Sequence, residues 1–248
     1  MTRQEILSIR ALRKRAERHA AGLFVVEGEK GIIELAKSTL SVQRIYCVAT
    51  MIDVIPDKLQ AEMEQISAKE MDRITQMTTA PGILAVVAIP HYSVQHVLEQ
   101  IESAPTPIGL VASRIADPGN LGTLIRSVDW FGMGGILVSA DATDPWSSKC
   151  VQASMGSIFR VPVAVLDAEM SSEQAHFHLE MEGTPYTEVA WEKGLLWVGS
   201  ESHGFKGTSL PEHSIPVHIP AKGRAESLNA GVAGSVVCAE IARAWKEK

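Results

Sequence analysis

A chain of 248 residues with 46 % apolar side chains can build one large domain or two ordinary ones around a buried core, which excludes a disordered polypeptide. A formal net charge of −6 works against a partner held by phosphate contacts spread over the whole surface, because Lys and Arg normally supply most of that affinity. No apolar run approaches the roughly 20 residues that span a bilayer, and the opening stretch is charged and amphipathic rather than a signal peptide, so the expectation is a cytoplasmic protein with no membrane partner.

Thr2-Arg3-Gln4-Glu5 fits a capping box, and Ile6, Ile9 and Leu12 continue as an apolar stripe, which predicts a helix reaching about His19. Its other face is basic: Arg3, Arg10, Arg13, Lys14, Arg15 and Arg18 stand against only Glu5 and Glu17. Such a run is either a solvated helix face or a phosphate-facing patch. Phe24–Val26 reads as a short strand, Lys30–Lys37 as a helix, Val42–Val48 as a strand and Gly82–Ile89 as a fully buried strand. Residues 1–102 thus form a small α/β domain. Ser103-Ala104-Pro105-Thr106-Pro107 then interrupts regular structure, because proline fixes φ and disfavours helix just before itself, and 103–107 is read as a linker.

Beyond it, strands and helices alternate: Ile108–Ser113, Leu121–Phe131, Ile136–Ser139, Ser147–Met155, Val161–Leu166, a helix over 171–182, Leu195–Val198, Val217–Ile219 and a small-residue helix over Ser227–Lys246. Alternation of this kind predicts an α/β domain over 108–248, a parallel sheet with helices on both faces. The turn Asp117-Pro118-Gly119 follows a buried strand, Asn120 suits the cap of the next helix, and Arg126 falls beside its core stripe of Leu121, Leu124, Ile125 and Val128. Strand, turn and helix start together make an edge where free backbone amides meet the positive end of a helix dipole.

Several chemistries are excluded. Cys47, Cys150 and Cys238 are far apart and odd in number, so they read as core residues and not as a disulfide framework or a zinc site. Gly132-Met133-Gly134-Gly135 precedes a strand and lacks the dinucleotide fingerprint, and there is no Walker A sequence. Ser200, Ser202 and His203 lie too close in sequence to form a triad built across a fold. His176-Phe177-His178 has no third ligand nearby and reads as solvated helix surface, and no metal is expected.

Three segments, Asp117-Pro118-Gly119-Asn120-Leu121-Gly122-Thr123-Leu124-Ile125-Arg126, Val198-Gly199-Ser200-Glu201-Ser202-His203-Gly204-Phe205 and Ile219-Pro220-Ala221-Lys222-Gly223-Arg224-Ala225-Glu226-Ser227-Leu228-Asn229, resemble in order and spacing the three motifs of the SpoU-type branch of the SPOUT RNA methyltransferases. Phe24-Val25-Val26-Glu27-Gly28 with the basic helix before it is similar to the ribosomal-protein-like substrate-binding domain that often precedes them. The resemblance implies a C-terminal trefoil knot, a homodimer with composite sites, and S-adenosylmethionine held by backbone around Gly199, Ile219 and Leu228. Glycine at 199 either lets backbone approach a ligand closely or simply makes a turn.

The resemblance further implies that Arg126 engages the acceptor nucleotide. A guanidinium is a poor base, so its physical role there is to stabilise a developing alkoxide. Asn120 then orients substrate or caps its helix, Glu201 fixes the second motif, and Ser227 and Asn229 complete the third, with helix capping and first-turn hydrogen bonding as their plain alternatives. The expected partner is structured RNA, rRNA ahead of tRNA, held through Arg10, Arg13, Lys14, Arg15 and Arg18. Ser200, Gln152 and Ala230 depart from the family's usual residues, and Gln152 removes a cation. The rival readings are an RNA-binding assembly factor that keeps the fold without methylating, and a small-molecule methyltransferase.

Overall fold

The computed structural model describes residues 1–166, 174–200, 204–206, 208 and 210–246. The chain divides into two compact units, Met1–Pro90 with Asp144–Arg160, and His91–Thr143 with Val161–Lys248. Among the described residues no helix is long and apolar enough to cross a membrane, and no cluster of three or more His, Cys, Asp or Glu could hold a metal.

In the first unit, α1 (Arg3–Ala11) opens with the expected capping box: Thr2 accepts from the Glu5 amide, and Glu5 accepts from the Thr2 amide. The helix stops at Leu12, where a single helix to His19 was expected, and α2 (Arg15–Ala21) begins anew. Arg18 accounts for the break. Its Nη1 donates to the carbonyls of Leu12 (2.7 Å) and Arg13 (2.8 Å), which a continuous helix would have used itself. Strands β1 (Leu23–Glu27), β2 (Val42–Cys47), β3 (Met63–Gln65) and β4 (Ile83–Ala88) form a mixed sheet in the order β1-β4-β2-β3. Helices α3 (Glu29–Ala36) and α4 (Ala68–Ile74) complete this part, and Ile6, Ile9 and Leu12 pack with Val25, Tyr46, Met71, Ile74 and Leu84.

The second unit begins earlier than the expected linker. Helix α5 (Val94–Glu102) carries an apolar stripe, Val97 and Ile101, that packs on Val111 and Leu137, and residues 103–107 form a turn inside the unit. Gly109 leaves room for it, since a Cβ there would lie 2.1 Å from Ile101 Cδ1. The sheet is parallel throughout, in the order β10-β8-β9-β5-β6-β7, with β5 Ile108–Ala112, β6 Ile136–Ser139, β7 Val163–Leu166, β8 Ala175–Pro185, β9 Gly194–Val198 and β10 Ile215–His218. Helix α6 (Pro118–Trp130) follows β5, and α8 (Ala230–Lys246) ends the described chain.

Where a helix over 171–182 was expected, the described part is β8, and 171–173 lie outside the described residues. His176 is 4 % exposed in this strand, not on a solvated helix surface, and its Nδ1 accepts from Trp197 Nε1 at 3.0 Å. The alternation of Phe177, Leu179 and Met181 with His178, Glu180 and Glu182 is the period-two signal of a strand. Helix α8 starts at Ala230, three residues later than expected, so Ser227 stands before it. Between β6 and β7 the chain enters the first unit, where α7 (Ser148–Ala153) packs on β1 and the rings of Trp146 and Phe159 lie 4.9 and 6.4 Å from that of Phe24. All three cysteines are buried.

Candidate functional site

A cavity of about 820 Å³ lies at the carboxyl ends of the parallel strands, the edge where open α/β sheets bind ligands and a size within the usual range for small-molecule sites. Its walls come from Leu179–Met181 between the two paired parts of β8, Val198–Ser200 and Gly204–Lys206 at and after the end of β9, and a stretch within Ile219–Leu228 after β10, closed by Ala230 and Ala233 of α8. Most of the surface is apolar, contributed by Leu179, Val198, Phe205, Val217, Ile219 and Leu228 among others, with Glu180, Lys206, Lys222 and Glu226 as the charged groups and Ser200 and Ser227 as the hydroxyls.

Gly199, Ile219, Leu228 and Ser227, all expected at the site, line this cavity. Gly199 is required by its own chain. A Cβ there would sit 2.9 Å from the carbonyl carbon and oxygen of Gly204, because Ser200 and Gly204 exchange backbone hydrogen bonds at 2.8 and 3.2 Å. The close approach this glycine allows is to its own chain at Gly204, and both glycines line the cavity. Glu201 lies outside the described residues.

Asn120 does not cap α6. Asp117 does, its Oδ1 accepting from the Asn120 amide at 3.0 Å, with Pro118 in the first turn, where a missing N–H is harmless. Asn120 is 8 % exposed and turned toward α8. A Cβ built on Gly231 would lie 3.2 Å from both Asn120 Oδ1 and Asn229 Oδ1, so the first and third motifs meet around that glycine. Asn229 accepts from the Val232 amide at 3.2 Å and so caps α8. The α6–α8 pair is drawn together by small residues: Gly234 faces Leu124, and Ser127 and Ser235 hydroxyls lie 2.7 Å apart. Arg126 is exposed on α6 and is not among the residues lining the cavity.

Residues that sequence reasoning missed include Arg114. Its backbone is left-handed (φ 55°), rare for a residue with a side chain, its guanidinium donates to the Lys206 carbonyl at 2.6 Å, and its Nε lies 3.0 Å from Asp141 Oδ2. It ties one wall of the cavity to the ends of β5 and β6. The stretch Leu179–Met181 was also missed, because the alternation that marks β8 was read as helix. His178, at its base, has its imidazole pushed below the ordinary value by burial, with the Glu180 charge working the other way.

In the first unit, Arg10, Arg13, Lys14 and Arg15 are exposed as expected, and Arg13 also donates to the Thr75 carbonyl. Arg18 is not available to RNA. It is 4 % exposed and paired with buried Asp144 (Nε to Oδ2 2.8 Å), which also accepts from the Trp146 amide. A charge so buried and so partnered is structural.

Comparison with known proteins places the two parts in families. The SpoU rRNA Methylase family matches residues 107–239 and the MRM3-like substrate binding domain matches residues 3–85. The 23S rRNA (guanosine(2553)-2'-O)-methyltransferase RlmP of Bacillus subtilis is 26 % identical over 244 residues, covering 94 % of each chain. The 23S rRNA (uridine(2479)-2'-O)-methyltransferase of Streptomyces viridochromogenes is 28 % identical, over 66 % of this chain and 60 % of the relative. Among solved structures, an RNA methyltransferase of the TrmH family from Porphyromonas gingivalis aligns with a TM-score of 0.82 at 25 % identity, over 98 % of this chain and 99 % of the other. An AdoMet-bound rRNA methyltransferase from Sinorhizobium meliloti shares the fold, with a TM-score of 0.83 at 24 % identity over 98 % and 96 % of the two chains. With the second and third motifs walling one cavity and the first motif's asparagine meeting the third at Gly231, the chain belongs to the SpoU rRNA methylase family.

Proposed function

We propose that this protein methylates the 2'-hydroxyl of a ribose in ribosomal RNA with S-adenosylmethionine as donor. The observation that carries this reading is the cavity itself: a mainly apolar space of about 820 Å³ walled by the second and third motifs, of a size for an adenosyl group, with Glu180, Lys206, Lys222 and Glu226 available to its charged tail. When bound, S-adenosylmethionine supplies an electrophilic methyl carbon on a cationic sulfur.

The residues of this chain do the rest. Gly199, Ile219, Ser227 and Leu228 would hold the donor, and Asn120 and Asn229 fix the helix pair beside it. As the acceptor oxygen gives up its proton to solvent water, the Arg126 guanidinium would stabilise the negative charge that develops there, a task that needs position and fixed charge but no basicity. Arg126 is exposed on α6 and is not among the residues lining the cavity, which supports a composite site in which Arg126 of one chain serves the cavity of a second copy. A trefoil knot is part of the same proposal; it is supported by α8, which reaches Val198 at the end of β9 although the chain approaches it from β10 at the sheet edge. Exposed Arg10, Arg13, Lys14 and Arg15 would hold RNA phosphates without reading sequence.

Methyl transfer to total RNA from cells lacking the protein, followed by mapping of ribose methylation, tests the proposal. New 2'-O-methyl groups in rRNA are expected. RNA binding without methyl transfer would instead favour the assembly-factor reading.

A further inference from the structure

Strand β5 ends at Ala112, and two residues later Arg114 adopts φ 55°, a left-handed backbone that a residue with a Cβ rarely takes. A closed ring of polar contacts holds it there. The Arg114 amide donates to Ser139 Oγ at 2.8 Å, the Ser139 hydroxyl donates to Asp141 Oδ1 at 2.8 Å, and Asp141 Oδ2 lies 3.0 Å from Arg114 Nε. Strain of this kind persists only where the surrounding structure over-determines it, and such outliers concentrate where a side chain has a task. The guanidinium shows the task, because its Nη1 donates to the Lys206 carbonyl at 2.6 Å.

That carbonyl belongs to the cavity wall that follows β9, where Gly204, Phe205 and Lys206 all line the space. The near side of this stretch is tied to the end of β9 by the backbone bonds between Ser200 and Gly204. Its far side is fastened to the end of β5: Arg114 takes the Lys206 carbonyl, and Ser113 Oγ lies 3.3 Å from Thr208 Oγ1. Ser113 is a firm foothold, 1 % exposed and donating its amide to the Val198 carbonyl at 2.9 Å. Of the two fastenings, the hydroxyl contact is neutral and long, whereas the guanidinium bond is short and charge-assisted, the stronger kind. Arg114, Ser139 and Asp141 lie outside the three motifs and are not among the residues lining the cavity, so the route from them to a bound ligand is the wall they hold.

We propose that Arg114 is a positioning residue of the donor site: with Asp141 orienting its guanidinium, it fixes the Lys206 backbone where the wall closes on S-adenosylmethionine. The inference deepens the donor-site reading given above and rests on it. Arg114→Asn tests it, because asparagine tolerates the left-handed backbone and removes the guanidinium. In titration calorimetry this variant should bind S-adenosylmethionine and S-adenosylhomocysteine alike about five- to tenfold more weakly, since the wall changes and not a charge that tells the two apart. Its thermal unfolding temperature should stay that of the wild type, because a solvent-exposed ion pair adds little to the fold. In methyl transfer to total RNA from cells lacking the protein, the donor KM should rise by the same factor, with the rate at saturating donor within about twofold of wild type. Asp141→Asn, on an exposed residue, should weaken both ligands less, and should add nothing in the Arg114→Asn background. Arg114→Lys should recover part of the affinity. Wild-type donor affinity in Arg114→Asn would overturn the proposal, as would additive effects of the two substitutions, or a loss of affinity that only accompanies a lower unfolding temperature. Failure of the wild-type chain to take up either ligand would instead bring down the donor-site reading, and this inference with it.

Discussion

Replacing Gly199 by alanine probes the step from sequence to cavity most directly. The added Cβ would meet the carbonyl carbon and oxygen of Gly204 at 2.9 Å and the Phe205 ring at 3.2 Å. Two of these three atoms are backbone, held by two hydrogen bonds between Ser200 and Gly204, so they cannot swing aside as a flexible side chain would. Overpacking of this kind costs about 1–3 kcal/mol, and opening the loop forfeits part of two hydrogen bonds worth about 1 kcal/mol each. Because the displaced atoms belong to residues that line the cavity, the same shift should weaken S-adenosylmethionine binding roughly tenfold to hundredfold, at about 1.4 kcal/mol per decade. Calorimetric titration with the donor, run beside thermal unfolding, measures both effects. If Gly199→Ala bound the donor within twofold of wild type and unfolded at the same temperature, the tight turn would not be what shapes the site.

Arg126→Ala should lower turnover by about 10²–10³ while leaving donor affinity unchanged, and mixing it with Gly199→Ala should restore part of the activity, because a composite site can form between an intact cavity on one chain and an intact arginine on the other. Asp144→Ala should destabilise the protein by about 3–5 kcal/mol in urea unfolding, since it strands the buried Arg18 charge; Lys14→Glu, on an exposed residue, should leave unfolding alone and weaken RNA binding in a filter assay, with a shallower salt dependence. Burial holds the Glu27 carboxyl above its ordinary value of 4.5, against hydrogen bonds from Thr75 and the Gln76 amide that pull it down. The folded chain thus keeps this proton longer than the unfolded one, so the group's contribution is full below pH 4.5 and is lost as pH rises through the higher folded value. Glu27→Gln should flatten the fall in urea midpoint just above pH 4.5.

Much of the site was legible because its signals are local. A glycine after an apolar strand, a proline-bounded turn and a Ser-Leu-Asn before a small-residue helix each mark one segment, and Gly199, Ile219, Ser227 and Leu228 do line one cavity. What the sequence obscured depends on partners far away along the chain. Arg18 reads as one more cation in a basic run, and only Asp144, at a separation of 126 residues, makes it a buried strut and breaks the first helix. Asn120 looked like a cap because Asn suits caps, yet Asp117 stands three residues earlier with Pro118 between, and the capping bond goes there. The stretch Leu179–Met181 was missed for a different reason. Its strand is apolar and charged in alternation, and that short-period signal was overridden by a helical reading of the same residues.

The placement of Arg126 follows from the packing of two helices and not from the motif that contains it. Gly231 lets the first and third motifs meet at the amino-terminal ends of α6 and α8, Gly234 lets Leu124 in below, and the Ser127–Ser235 contact continues the seam. Helix α6 therefore turns Asn120, Leu124 and Ser127 toward α8, and Leu121, Ile125 and Val128 into the core, which leaves Arg126 the remaining, outward face. Arg126 thus lies on the exposed side of α6, outside the residues that line the cavity. In the proposed composite site, the acceptor would be held between two chains while the seam of α6 with α8 stays in place. The seam is built from close contacts that tolerate little displacement, and a composite site, which leaves them undisturbed, is what mixing Arg126→Ala with Gly199→Ala would detect.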